Sequence, residues 1–251
     1  MPDASAGRKY QAIAAELRSA IQAGTYAPGD RLPGENDIMR EYSVARMTAR
    51  QALAVLVNEG LVIPRKGAGV YVREFRPLVR AGIGRLASGI WRDGRSIWSA
   101  DVGNRDLHVD QVQVHREEPP GHVRILFDLD GEDAQVVARR RRFVLDGKPV
   151  LLSVSYLPVD LVGGSAIEQE DTGPGGTYAR LADLGYAPAR FREDLRSRMP
   201  EPDETERLAL DPGTPVVEIA RTAYTEDGRV VELNEMTADA GSYVFRYDFG
   251  A

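Results

Sequence analysis

The sequence predicts an α+β protein in two parts: a small N-terminal domain of helices closed by a hairpin, and a C-terminal domain built on an antiparallel sheet. Three observations predict it. Apolar residues recur at helical spacing between Lys9 and Gly60. From about Ile97 the pattern changes to strand-like runs separated by turns. Two of those turns are Asp146-Gly147 and Asp227-Gly228, a strong signal for tight hairpins. The domain boundaries expected are 1–75 and 97–251, with 76–96 as a linker rich in Gly and Arg.

In chain order, Ile13, Leu17 and Ile21 mark one face of a first helix that ends at Gly24. A turn-rich stretch with Pro28-Gly29 and Pro33-Gly34 leads to a short helix from about Glu35 to Tyr42, with Glu35 and Asp37 at the positive end of its dipole. A third helix follows Ser43-Val44. Ala49, Ala52, Leu53, Leu56 and Val57 form its apolar stripe; Met47, Arg50, Gln51 and Ala54 lie opposite, flanked by Arg46 and Thr48. "LVIPRKGAGVYV" then reads as a hairpin whose tight loop is Arg65-Lys66-Gly67-Ala68-Gly69.

Three helices and a hairpin in this order are the layout of a winged helix-turn-helix, whose third helix presents its N-terminal residues to a DNA major groove. Taken singly, each arginine reads equally well as a solvated charge; their combined order favours DNA. Charge agrees in sign: residues 1–75 hold ten Lys+Arg against eight Asp+Glu, a net of +2, and the other 176 carry −8 of the total −6. Further on, "AQVVARRRRFVLDGKPVLLSVSYLP" reads as two strands around Asp146-Gly147, and "TPVVEIARTAYTEDGRVVELNEMTAD" as a second hairpin. "GGTYARLADLG" reads as a helix with Tyr178, Leu181 and Leu184 on one face, and "VQVHREEPPGHVRILFDLDG" as strand-like alternation broken at Pro-Pro-Gly.

Composition narrows the function classes. With 43% hydrophobic residues the chain is globular, and no run approaches the ~20 apolar residues of a membrane span. The N-terminal "MPDASAGRKYQ" lacks the apolar core of an export signal, so a cytoplasmic location is expected. Zero cysteines exclude disulfides, thiol catalysis and thiolate metal sites. His108, His115 and His122 show no metal-ligand or triad spacing, and "GAGVYV" lacks the helix a nucleotide fingerprint needs. No cofactor is expected.

Tyr10 to Val72 resembles the GntR family of bacterial transcription regulators, through the "G-x-Y-x-P-G-D-R-L-P" run, the "R-x-T-x-R-Q-A-L" run and the Gly-x-Gly wing. Gly34 and Ala45 stand where the family usually has serine, which removes two hydroxyls that cap helices or bind phosphate. The remainder looks like the effector-binding UTRA domain of the HutC subgroup, which resembles chorismate lyase in fold. The matching stretches are 146–158, 175–185, 198–210 and 221–234. The resemblance implies a homodimeric repressor that binds a pseudo-palindromic double-stranded operator and responds to a small-molecule effector. An enzyme of chorismate-lyase-like fold fused to a DNA-binding module is the competing reading.

Mapped onto this chain, the resemblance places DNA contacts at Arg46, Thr48 and Arg50, with Met47 and Gln51 sharing their face, Glu35 beside them, and Arg65, Lys66 and Gly67 on the wing. For the effector, alternate arginines of "ARRRRF" face opposite sides of a strand; the run reads as a solvated basic edge or, as the resemblance implies, as an anion site. Arg140 and Arg142 are the pair expected inward. Ser153, Ser155, Tyr156, Tyr178, Glu232 and Asn234 complete the expected pocket, and the arginines favour an anionic effector.

Overall fold

In a computed structural model the chain is described over residues 4–74, 77–82, 86, 102, 105–131 and 133–249. It divides into two compact units, Met1–Arg76 with Leu210–Thr214, and Pro77–Ala209 with Pro215–Ala251.

The first unit holds α1 (Ala4–Gln22), α2 (Glu35–Tyr42), α3 (Arg46–Asn58) and a hairpin of β1 (Val62–Arg65) and β2 (Gly69–Val72). Its core joins Ile13 and Leu17 of α1, Ile38 of α2 and the α3 stripe Ala49, Ala52, Leu53 and Leu56 to Val62 and Val72 of the hairpin. Each large side chain so buried contributes about 1.5–3 kcal/mol, which fixes α3 against the other helices. The α2–α3 turn is made by Ser43 in the left-handed region (φ 50), and α3 stops at Gly60 (φ 69). Arg31 bridges to Tyr71 beside the wing. Gly69 takes φ 112, a backbone conformation that favours glycine, with the Arg31 side chain packed against it.

The second unit is a six-stranded, wholly antiparallel sheet. Its strands are β4 (Leu107–Glu117), β5 (Val136–Leu145), β6 (Lys148–Pro158), β7 (Arg190–Arg198), β8 (Val216–Tyr224) and β9 (Val230–Asp239), in the order β4-β5-β6-β9-β8-β7. Short helices α4 (Gly121–Leu126), α5 (Val159–Val162), α6 (Gly176–Asp183) and α7 (Pro202–Arg207) join them. A parallel pair, β3 (Leu78–Ala81) with β10 (Tyr243–Arg246), adds Leu78 and Tyr243 to the core around Phe143, Leu151, Ile219 and Met236. β3 lies within the stretch expected to be linker. Apart from β3 and the neighbouring positions 77, 82 and 86, that stretch lies outside the described residues.

Two expectations are corrected here, and one strand is added. The stretch after Pro119-Pro120 is not a strand: the prolines end β4 and the chain turns into α4, which buries Val123. Leu184 is not on the buried face of α6 but caps its C-terminus, 40% exposed. β7, "RFREDLRSR", carries little apolar alternation because it is an edge strand, and sequence reading passed over it.

The Asp146-Gly147 turn closes β5–β6 with both residues left-handed (φ 50 and 79), the geometry of a two-residue hairpin turn. Gly147→Ala would put a Cβ into that conformation, so unfolding in denaturant should show a loss of about 1–2 kcal/mol.

Candidate nucleic-acid interface and ligand cavity

At the N-terminus of α3, Arg46, Met47, Arg50 and Gln51 are exposed, Met47 by 60%. Glu35 reaches across from α2. Its carboxylate accepts from Arg50 Nε at 2.8 Å and Nη2 at 3.4 Å, and lies 3.7 Å from Arg46 Nε. Arg46 Nη2 also donates to Asn36 Oδ1 at 3.2 Å. The Arg50 hydrogen bond holds the Glu35 carboxyl below its usual range and raises the Arg50 guanidinium. Two cations thus stand ordered around one carboxylate, leaving a net positive tip.

Thr48 does not share that tip. It is 8% exposed, because it stands one helical turn from Ala52 and turns with it toward the core. On the wing, Lys66 and Gly67 are exposed, Gly67 at φ 74 with open space around it, and the Arg65 guanidinium lies 4.3 Å from the centre of the Tyr71 ring. Ala45 precedes α3 without a side-chain cap, and at Gly34 the backbone N–H instead donates to Asp37 Oδ2 at 3.2 Å.

In the second unit a row of directly opposed residues crosses five strands: Arg139 faces Ser155, Ser155 faces Asn234, Asn234 faces Arg221, and Arg221 faces Glu193. Residues opposed in this way share one face of the sheet. Their side chains bond locally. Arg221 Nε donates to Glu193 Oε1 at 2.8 Å, and Arg80 of β3 donates to both oxygens of the same carboxylate. Ser153 Oγ donates to Asn234 Oδ1 at 2.8 Å, and Arg141 Nη2 donates to Ser155 Oγ at 3.0 Å. Arg139 is committed to the carbonyls of Ile167, Gln169 and Glu170, which ties down the loop before α6. Tyr178 and Glu232 adjoin the row beside Arg221.

This geometry reverses the expected arginine pair. Arg139 and Arg141 face the row. Arg140 and Arg142 point to the other side, in ion pairs with Glu117 and Asp110. The physical reason is a register shift. The turn pairs Leu145 with Lys148 and Val144 with Pro149, and continuing that pairing would set Arg140 opposite Ser153; the irregularity between Phe143 and Val144 moves the register by one and sets Arg141 there. Tyr156 also lies on the other face, packed with Val136, Ala138 and Leu233. Ser153, Ser155, Tyr178, Glu232 and Asn234 lie together along the row, and none of them is in the lining of the cavity beside Arg141. Arg80, Glu193 and Arg221 were missed, because each pairs with strands distant in sequence.

Arg139 and Arg141 open onto a cavity of about 710 Å³. Opposite them β4 carries a bulge: Asp110 pairs with Arg142 and Gln113 with Arg140, so Gln111 and Val112 are left over against Arg141. Gln111 takes φ 50 to make the bulge, and Val112 joins the cavity lining. The loop Glu170–Gly176 forms another wall.

The row is rich in buried charge. Arg80, Arg139 and Arg221 are at most 2% exposed. Burial would raise the Glu193 carboxyl, but Arg80 and Arg221 hold it down to about 2. Burial lowers Arg139 to about 10, still charged at neutral pH, and lowers Arg141 as well. Burial also opposes the charge on Arg221, yet Tyr178 and Glu193 keep it raised.

A three-helix, winged unit with an ordered arginine pair, on the same chain as a sheet domain enclosing a charged cavity, defines a ligand-responsive DNA-binding transcription regulator. The gntR model of bacterial regulatory proteins matches residues 9–72 and the UTRA domain model residues 103–243. An uncharacterised HTH-type transcriptional regulator of Streptomyces coelicolor is 33% identical, covering 96% of this chain and 92% of that protein. The Escherichia coli mannosyl-D-glycerate transport/metabolism system repressor MngR is 25% identical, covering 94% and 93%. Among solved structures, that of a GntR-family transcriptional regulator has a TM-score of 0.66 at 26% identity, covering 97% of this chain and 98% of that one. The chain belongs to the GntR family, with a UTRA domain of the HutC type. Its relatives are regulators, which sets aside the reading as an enzyme.

Glu193→Gln would leave Arg80 and Arg221 without their shared counter-charge, a loss of about 3–5 kcal/mol at pH 7 by denaturant unfolding. Because the folded carboxyl is depressed to about 2, its stabilisation is present above the ordinary 4.5 and disappears as pH falls from there toward 2. The gap between variant and wild type should close over that window.

Proposed function

We propose that this regulator is a cytoplasmic homodimeric repressor that holds a pseudo-palindromic operator with two winged units and releases it when an anionic effector reaches Arg141. Arg46 and Arg50 contact guanine edges, Met47 and Gln51 complete the reading face, and Glu35 acts by orienting the two arginines. Thr48 supports that tip from beneath. Arg65, Lys66 and Gly67 meet phosphates. Among described residues, no helix is long and apolar enough to cross a membrane.

For the effector, one observation carries the reading. Along the polar row Arg80 and Arg221 share the Glu193 carboxylate, whereas Arg141 lines the cavity with one hydrogen bond, to a serine hydroxyl, and its Nε has no partner among the described residues. A half-buried cation with an unfilled donor favours an anion. Ser153, Ser155, Tyr178, Glu232 and Asn234 set the surroundings of Arg141. The MngR relative is named a repressor, which supports the reading as a repressor. Release follows from differential affinity: the effector weakens DNA binding by no more than its own preference for the released state.

Arg46→Ala and Arg50→Ala should each weaken operator binding by about 1–3 kcal/mol in a mobility-shift assay with folded protein. An unchanged shift in both overturns the assignment. Lys66→Ala should weaken binding to all sequences alike and reduce the slope of log affinity against log salt by about 1. Arg141→Gln should keep operator affinity and lose release, whereas Arg140→Gln should not.

A further inference from the structure

The cavity is divided in chemistry from wall to wall. One side is Arg139, Arg141 and the polar loop at Glu170, Asp171 and Thr172; the other is mainly apolar, Val102, Leu107, Val109, Val112 and Phe143, with Arg105 and His108 among them. The apolar side is not packed shut: Val109 is 39% exposed, and Leu107 and Val112 are partly so. Unbroken strand alternation would follow Leu107 and Val109 on this face with Gln111 and Gln113. The bulge inserts Val112 opposite Arg141 instead, at the cost of a left-handed Gln111. Arg139 is committed to three carbonyls and Arg105 to Asp146, so Arg141, with one hydrogen bond, is the guanidinium best placed to bind a charged head. The Arg141 guanidinium lies 5.7 Å from the centre of the Phe143 ring, which places the charged and apolar subsites side by side.

Resting on the anion site assigned above, we infer that the effector is an amphipathic anion, with one carboxylate or phosphate head at Arg141 and an apolar body against Val109, Val112 and Phe143. A polyhydroxylated sugar phosphate is a poor fit, because its hydroxyls would face that wall without partners. A volume of about 710 Å³ has room for a body well beyond the head group.

The test is isothermal titration of the full chain with acetate, butyrate, hexanoate and octanoate, alongside inorganic phosphate and glucose 6-phosphate. Affinity should rise about fourfold per methylene until the cavity is filled, and octanoate should bind more tightly than glucose 6-phosphate. Val112→Ser should weaken octanoate several-fold and leave acetate unchanged, with Val109→Thr as the alternative where Val112→Ser does not fold. Arg141→Gln should weaken every member of the series by a similar factor. A flat series that Arg141→Gln still weakens overturns the apolar assignment and leaves the anion site standing. A rising series indifferent to Arg141→Gln overturns the anion site beneath it. Tighter binding of glucose 6-phosphate, or no saturable binding of any carboxylate, overturns the amphipathic effector.

Discussion

The second unit depends on a polar row laid across the inside of its sheet, from Arg139 through Ser155, Asn234 and Arg221 to Glu193. It runs as a seam between two apolar clusters. Phe143, Leu151, Ile219 and Met236 lie on one side, and Val137, Leu157, Tyr178, Leu181 and Ala223 on the other. Dehydrating so many polar groups is costly, and the seam is tolerable because neighbours across the strands supply the lost hydrogen bonds. At the β7 end, Glu193 between Arg80 and Arg221 balances most of the charge. At the β5 end Arg141 makes one hydrogen bond, to a serine hydroxyl, and the cavity lies at that end.

Both units place one carboxylate between two guanidiniums, with opposite consequences. Glu35 binds Arg50 and approaches Arg46 at the surface, where water and salt screen the interaction and either arginine can exchange its partner at small cost. Glu193 holds Arg80 and Arg221 where no water competes, so the same arrangement becomes a fixed structural joint. An exposed trio suits a surface that must hand its arginines to another polyanion. A buried trio suits a strand, β3, that must stay in place.

Much of this was legible in the sequence. The α2 boundaries, the α3 stripe and both Asp-Gly hairpins follow from local signals, because helical spacing and turn chemistry act over a few residues. What failed was the parity of "ARRRRF". Four consecutive arginines contain no alternation, so only register assigns their faces, and that register is altered by an irregularity between Phe143 and Val144 that no local signal announces. The role of Glu193 was hidden for a related reason: its partners Arg80 and Arg221 are 113 and 28 residues away. Thr48 shows a smaller version, since a flanking position on a helical wheel is decided by what packs there.

The cavity forms where the regularity of the sheet fails twice at one place. On one side of β5 the β6 register slips between Phe143 and Val144; on the other the β4 ladder breaks between Asp110 and Gln113. Arg141 stands between the two faults. The shift leaves Val150 of β6 without a partner and so sets Ser153 and Ser155 on the face that β5's own alternation gives to Arg141 and Phe143. Without the β4 bulge Val112 would not line the cavity opposite it. Bulges re-aim side chains at the edges of sheets. Here two of them turn a charged strand into a surface with a cation on one side and a hydrophobic wall on the other.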